Sequence, residues 1–294
     1  VYMMNKQVMT ITTNSIGECI NPWRYESPQW SDIFPIVMGD TYRHGGVSQE
    51  PYSSLNLAFH VGDNSEAVIE NRRIVADYLG VNGDRITCAN QVHGLQAVRI
   101  TENLIGSGAY GESTAIDDCD AIYTDIPNVP LLLFTADCVG VGIYDAKHHA
   151  LATVHAGWKG DIGHLPVITI ESMQRDFDTR FEDCYIYLGP SIGPESFEVN
   201  QELADTFINE WQRMTDIDSC ELVKYIQLIG ADKVTPHINL WRFIEQDLVE
   251  KGVPKEQICI GATDSMTSAD CFSYRREAGV TGRMALFGML KERK

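Results

Sequence analysis

Short continuous apolar runs and longer amphipathic segments take turns along most of this chain. The clearest amphipathic stretch runs from Asp63 to Gly80. Val68, Arg72, Val75 and Leu79 recur at helical spacing, Asp63 with Glu66 makes a capping-box-like start, and Gly80 supplies the stop. Similar stripes predict a helix over Asn200–Met214, through Leu203, Phe207 and Trp211, and another over Asn239–Gly252, through Phe243, Ile244 and Leu248 before Pro254.

Strand-like runs fall between them at Gln96–Ile100, Ala121–Tyr123, Leu131–Phe134, Val139–Tyr144, Leu151–Val154, Tyr185–Leu188 and Ile258–Ile260. Val139–Tyr144 and Leu151–Val154, joined by a short polar link, predict a hairpin. Strands and helices mix without a steady βαβ beat, which predicts a mixed sheet and an α/β or α+β architecture. Residues 1–30 are polar and pattern-poor, and read as an N-terminal extension or an edge element. By length the chain could be one large domain or two. Gly106–Asp118, rich in Gly, Ser, Glu and Asp, reads as a surface loop.

Composition narrows the function classes. The 294 residues are 44% hydrophobic and 22% charged, ordinary for a globular protein with a sizeable core. A formal charge of −18 argues against nucleic acid or an anionic membrane as the general partner. No apolar run is long enough to span a bilayer, and the N-terminus lacks a signal-peptide pattern. The eight cysteines are scattered without CxxC pairs and read as thiols in a reducing cytoplasm.

Three residues stand inside stretches suited to chemistry: His93 in Asn90-Gln91-Val92-His93-Gly94, Cys138 in Thr135-Ala136-Asp137-Cys138-Val139, and His155 in Val154-His155-Ala156-Gly157-Trp158-Lys159-Gly160. Two imidazoles and a thiolate would make a three-ligand site for a borderline-soft metal and leave one position open. Gaps of 45 and 17 residues are not zinc-finger spacings, and each residue alone also fits an ordinary structural role. Arg43, beside Gly45 and Gly46, and Lys159, in its own glycine-flanked loop, are candidate anion contacts; Arg275 and Arg276 are weaker ones. His148 and His149 point to opposite faces if they lie on a strand, so they make a poor metal pair. P-loop, zincin and hydrolase-elbow motifs do not occur in the sequence.

Together these stretches resemble the YfiH-type family, called multicopper polyphenol oxidase or laccase-like and associated with purine nucleoside phosphorolysis. The resemblance runs in order through Arg43–Ser48, Ser54-Leu55-Asn56-Leu57, Val61-Gly62-Asp63, Glu70-Asn71-Arg72 and Gln91–Gly94. It continues through Ala136-Asp137-Cys138, His155–Gly160, Gly189–Gly193, Phe272–Arg276 and Thr281-Gly282-Arg283. It implies a layered α/β/β/α sandwich related to bacterial toxin-like cysteine hydrolases, with residues 31–294 as a single catalytic domain after the extension 1–30. It further implies zinc at His93, Cys138 and His155 as the catalytic residues, with Arg43, Asn56, Gln91 and Lys159 as substrate contacts. The implied activity is phosphorolysis of adenosine, inosine and methylthioadenosine with companion adenosine deamination. Copper-dependent oxidation of phenols is the alternative, a cysteine hydrolase using Cys138 and His155 a third reading, and a zinc-stabilised binding module a fourth. The chain departs from the family pattern at Gly140, where proline is usual, at Ser191, where cysteine is common, and at Gly261-Ala262-Thr263, which replaces a Cys-Thr.

Overall fold

A computed structural model describes residues 5–227 and 233–293. In chain order the strands and helices are β1 (Lys6–Thr13), β2 (Cys19–Pro28), β3 (Ile36–Thr41), α1 (Ser65–Leu79), β4 (Thr87–Cys88), β5 (Ala97–Arg99), β6 (Ala121–Thr124) and β7 (Leu131–Thr135). They continue as β8 (Val139–Asp145), β9 (Ala150–Ala156), α2 (Trp158–Ile162), α3 (Leu165–Phe177), β10 (Cys184–Leu188), α4 (Gln201–Met214) and β11 (Val223–Gln227). The last are β12 (Val234–Ile238), α5 (Leu240–Glu250), β13 (Ile258–Ile260) and β14 (Met284–Leu290).

Two mixed six-stranded sheets form, in the orders β1-β2-β3-β14-β7-β4 and β13-β10-β8-β9-β6-β5, while β11 and β12 make a separate hairpin. Met38, Leu131, Leu133 and Leu286 of the first sheet pack on Ile122, Tyr144, Leu151 and Tyr187 of the second. The outer face of the first sheet is covered by α1 through Val75, Ala76 and Leu79 against Leu132, Phe134 and Phe287. The outer face of the second is covered by α3, α4 and α5, with Ile170, Phe207, Trp211 and Phe243 against Val141, Ile143 and Val154. The result is the expected α/β/β/α layering. Strands β8 and β9 are covered on both faces and buried throughout, which is why they read as continuous apolar runs. They pair as the expected hairpin, His155 opposite Gly140.

Helix α1 keeps its expected stripe but starts differently. Asn64 is the N-cap, its side chain accepting from the backbone N–H of Glu66 and Ala67. Asp63 instead accepts hydrogen bonds from Ser48 Oγ and Asn56 Nδ2. Arg72, within the buried stripe, is accommodated because its guanidinium donates to the carbonyls of Leu57, Gly108 and Ala109. The segment expected as an extension or edge element supplies β1 and β2, the outermost strands of the first sheet, with Trp23 and Tyr25 buried beneath. Strands β3 and β14 and helix α3 carry no clear period in the sequence.

Gly140 and Gly261 each face a buried acid between the sheets. Asp40 and Glu26 are fully buried there. A side chain at Gly140 would bring its Cβ within 2.8 Å of Asp40 Oδ2, and one at Gly261 would collide with Glu26 Oε1. Tyr42, Tyr187 and Thr263 hydroxyls donate to the Glu26 carboxylate, joined by Lys6. Asp40 oxygens have no partner among the described residues, and burial, with the charge of Glu26, raises its pKa well above the usual carboxylate range.

No helix among the described residues is long and apolar enough to cross a membrane. His164, in left-handed conformation at the start of α3, ties three helices together: its Nδ1 meets Asp247 of α5 at 2.9 Å and its Nε2 meets Glu210 of α4 at 3.1 Å. Hydrogen bonding to Asp247 leads the effects that raise its pKa. A raised folded pKa contributes stability fully present below the unfolded value of about 6.5, and lost as pH rises through the folded value. His164→Gln is therefore expected to lower Tm most at about pH 6, with the gap to wild type closing toward pH 9; thermal denaturation at both ends checks this.

Candidate active site

The three chemically marked stretches meet at one end of the sandwich. The chain leaves the first sheet at the end of β7 and enters the second at β8, and Cys138 sits on that crossing. Asp137 just before it adopts φ 92°, a left-handed conformation that a non-glycine residue holds only when fixed by its surroundings. Its carboxylate accepts from Ser265 Oγ at 2.6 Å and from the Arg275 backbone N–H at 2.7 Å. His155 is the penultimate residue of β9, and His93 comes from the loop between β4 and β5 with φ 57°.

His93, Cys138 and His155 present ligand atoms that all lie within 4.8 Å of one another. Cys138 Sγ stands 4.0 Å from His93 Nε2, and the two imidazoles meet edge-on at 4.8 Å between centroids. His155 is buried, Cys138 half-buried and His93 exposed, so the cluster opens on one side only. Gly157 closes over it: a Cβ there would sit 3.0 Å from His93 Cδ2 and 3.2 Å from Cys138 Sγ. Space, rather than backbone freedom, calls for glycine at this position.

Asp120, at the start of β6, organises the cluster. Its Oδ1 lies 2.7 Å from His155 Nδ1, leaving Nε2 for a ligand, and its carboxylate accepts the backbone N–H groups of Val92, His93 and Gly94. A carboxylate behind a ligating histidine fixes its tautomer and orientation. Burial pushes the Asp120 pKa up, but His155 and the backbone donors outweigh it and hold it below the usual value. Burial also raises the Cys138 thiol, yet the charge of His155 and hydrogen bonds from both histidines bring it down to about 6. For His155 burial lowers the pKa, and the Cys138 and Asp120 charges override it, raising it to about 10. The two shifts favour a thiolate beside a protonated imidazole, an arrangement from which a binding cation would displace one proton to water.

The site tests well as a metal centre. Its two nitrogens and one sulfur suit zinc or copper, the donors converge, and one histidine already has its carboxylate. Around it lies a cleft of about 440 Å³, lined among others by His60, Gln91, Phe134, Ile192, Phe197, Tyr274, Arg275 and Arg283.

The remaining expected contacts divide. Gln91 lines the cleft, but its amide is spent on the backbone N–H and carbonyl of Phe134, pinning the His93 loop to β7. Arg43, Asn56 and Lys159 do not line it. Arg43 donates to Ser53 O and to Glu277 Oε1 at 2.7 Å, with its guanidinium 4.5 Å over the Phe272 ring. Glu277 also accepts from the Ser273 backbone N–H, Arg276 and Thr281, so Arg43 fastens the arm 273–283 that carries Tyr274, Arg275 and Arg283. Asn56 is buried, holding Asp63 and the Arg283 backbone N–H. Lys159 lies exposed on α2 against Trp158.

The cations that do face the cleft are Arg283 and Arg275. Arg283 commits Nη1 to the carbonyls of Thr281 and Gly282, while Nε and Nη2 make no hydrogen bond among the described residues. Its place inside the motif Thr281-Gly282-Arg283 was the one sequence signal for it. Asp120→Asn is expected to keep the fold but weaken zinc or copper binding by about 10–100-fold, read by chelator competition. Arg43→Lys keeps the charge but loses the fork and the stacking surface, and should impair turnover through the displaced arm, without changing metal content.

A family model described as "Multi-copper polyphenol oxidoreductase laccase" matches residues 37–291. The chain is 32% identical over 255 residues to "Purine nucleoside phosphorylase YlmD" of Geobacillus stearothermophilus, covering 85% of this chain and 89% of that protein. It is 34% identical over 262 residues to "Purine nucleoside phosphorylase YfiH" of Escherichia coli, covering 88% and 96%. The crystal structure of YlmD from Geobacillus stearothermophilus superposes with a TM-score of 0.83 at 29% identity, over 91% of this chain and 96% of that one. A Bacillus licheniformis hypothetical protein, YfiH, gives 0.81 at 30% identity, over 90% and 94%. The chain belongs to this multi-copper polyphenol oxidoreductase laccase family, the YfiH-type family that its motifs resemble.

Proposed function

We propose that this protein is a zinc-dependent purine nucleoside phosphorylase, acting on adenosine, inosine and methylthioadenosine, with adenosine deamination as a companion activity. The observation that carries the reading is the open three-donor cluster His93, Cys138 and His155 at the floor of a cleft that also holds two arginines and aromatic walls. The relatives named purine nucleoside phosphorylase support it.

His93, Cys138 and His155 would hold the ion, with Asp120 orienting His155. Bound there, zinc would supply Lewis acidity toward an oxygen of the substrate or water. The protein's own groups do the rest. Arg283, with its free fork edge, replaces Arg43 and Lys159 as the anchor for phosphate, and Arg275 adds a second positive charge at the rim. Phe134, Phe197 and Tyr274 offer ring surface to a planar base. Asp137 holds Cys138 and the Arg275 segment in register across the cleft.

Two other readings use the same residues. Copper fits the donor set by affinity order, and would serve phenol oxidation. Against a multi-copper relay, His93, Cys138 and His155 are the one group of three or more such ligands among the described residues. A metal-free cysteine hydrolase is favoured by one observation, the chain Cys138–His155–Asp120 with its lowered thiol and raised imidazole pKa values.

Protein purified without added metal is expected to carry about one zinc per chain and to form ribose 1-phosphate from inosine and phosphate. Cys138→Ser should abolish phosphorolysis and deamination together, since both depend on one centre. Arg283→Ala should raise KM for phosphate by about tenfold or more while leaving bound metal unchanged. Activity that survives full chelation favours the cysteine hydrolase. A far higher kcat/KM on a phenol, with several coppers bound per chain, favours the oxidase and overturns the phosphorylase reading.

A further inference from the structure

His60 stands apart from the other histidines. His155 is held by Asp120, His148 by Asp145, His149 by Tyr144, and His164 by Asp247 and Glu210. His44 faces Asp270, His237 meets Thr235, and His93 belongs to the ligand cluster. His60 hydrogen-bonds no other described residue, although it is open to the cleft and lines it beside the three ligands. It lies outside the ligand cluster itself. A ring with two uncommitted nitrogens in a binding cleft is a hydrogen-bonding surface awaiting a partner.

Its surroundings say which kind of partner. The His60 ring lies 6.4 Å from that of Phe134, and the two together form an aromatic edge of the cleft, with the Arg72 guanidinium 4.9 Å over the Phe134 ring. The cations of the cleft, Arg275 and Arg283, come instead from the arm 273–283. An anion belongs with the arginines, and a planar base belongs against the rings. Desolvation by the cleft walls, then the charge of Arg283, push the His60 pKa down to about 4. The shift favours the neutral imidazole, whose ring carries one N–H to donate.

We propose that His60 is a further catalytic residue, whose ring N–H donates a hydrogen bond to N7 of the departing purine. This rests on the phosphorolysis reading. A phosphate oxygen forms the bond to ribose C1′ while the C1′–N9 bond breaks, and the bonding pair passes into the purine ring. The negative charge that reaches N7 is met by the His60 N–H, which keeps its proton. The purine takes its own proton from water on release. A donor aimed at charge that develops only in the transition state acts on kcat rather than on ground-state binding.

The test compares inosine with 7-methylinosine, whose base already carries a positive charge and a blocked N7. His60→Ala is expected to lose about 10²-fold in kcat on inosine, the scale for a single such donor, and to keep near-wild-type turnover of 7-methylinosine. His60→Asn retains an N–H donor and should recover most of the loss on inosine. Metal content per chain is unchanged in both variants. Equal losses on the two substrates in both variants, or no loss on either, overturns the role of His60 while leaving phosphorolysis standing. A wild-type protein that cleaves neither nucleoside overturns the phosphorylase reading, and this proposal with it.

Discussion

The Asp120 carboxylate is the constraint on which the site depends. It is wholly buried, and taking an ionised carboxylate out of water is costly unless its lone pairs are filled. Here His155 Nδ1 and the backbone N–H groups of Val92, His93 and Gly94 supply the partners. The same residue's carbonyl accepts from the His155 backbone N–H at 2.7 Å. One side chain therefore sets two of the three ligand-bearing segments against each other. Side chains fixed this way by hydrogen bonds lose little further freedom when they act as donors.

The third ligand is placed by topology. Cys138 lies where the chain passes from one sheet to the other, at an end common to both layers. That is why residues separated by long stretches of sequence converge without a compact motif. A second network holds the opposite wall: Glu277 gathers Arg43, Arg276, Thr281 and the Ser273 backbone, while Asp137 grips Ser265 and the Arg275 backbone. The floor is thus tied to strand ends, and the cationic arm is tied to the floor.

The legible parts of the sequence were those whose burial is uniform or whose period is regular. The hairpin β8–β9 is covered on both faces, and α1 buries one stripe and ends on Gly80 in left-handed conformation. Strand β1 was obscure because, at the sheet edge, it buries only Ile11 and leaves half of its residues exposed. Helix α3 was obscure because Leu165, Val167, Ile170 and Met173 stand among buried Thr169 and Ser172, which blurs the boundary between apolar and polar faces. The clustering of His93, Cys138 and His155 was legible from their local contexts, whereas the place of Arg43 was not. A glycine-framed arginine reads the same whether it meets substrate or a carboxylate, and Glu277, which engages Arg43, is 234 residues away in sequence. Arg283 had the opposite history: an unremarked motif residue whose fork the fold turns toward the cleft.

The space between the sheets and the cleft are organised by different groups. Gly140 and Gly261 face the space between the sheets, and each makes room for a carboxyl, Asp40 for the first and Glu26 for the second. Neither glycine explains itself without its acid, since a glycine in a strand interior loses packing and costs backbone entropy. Glu26 is held by Tyr42, Tyr187 and Thr263, so Thr263, part of the same departure, supplies a hydroxyl to the group that Gly261 admits. Ser191 is likewise fully buried, its backbone N–H donating to the Thr263 carbonyl. These residues form one connected polar network behind strand β9, which carries His155, and the β7–β8 link, which carries Cys138. β8 turns Gly140 inward two residues after Cys138, so the buried carboxyls lie directly behind the mouth that carries the three donors.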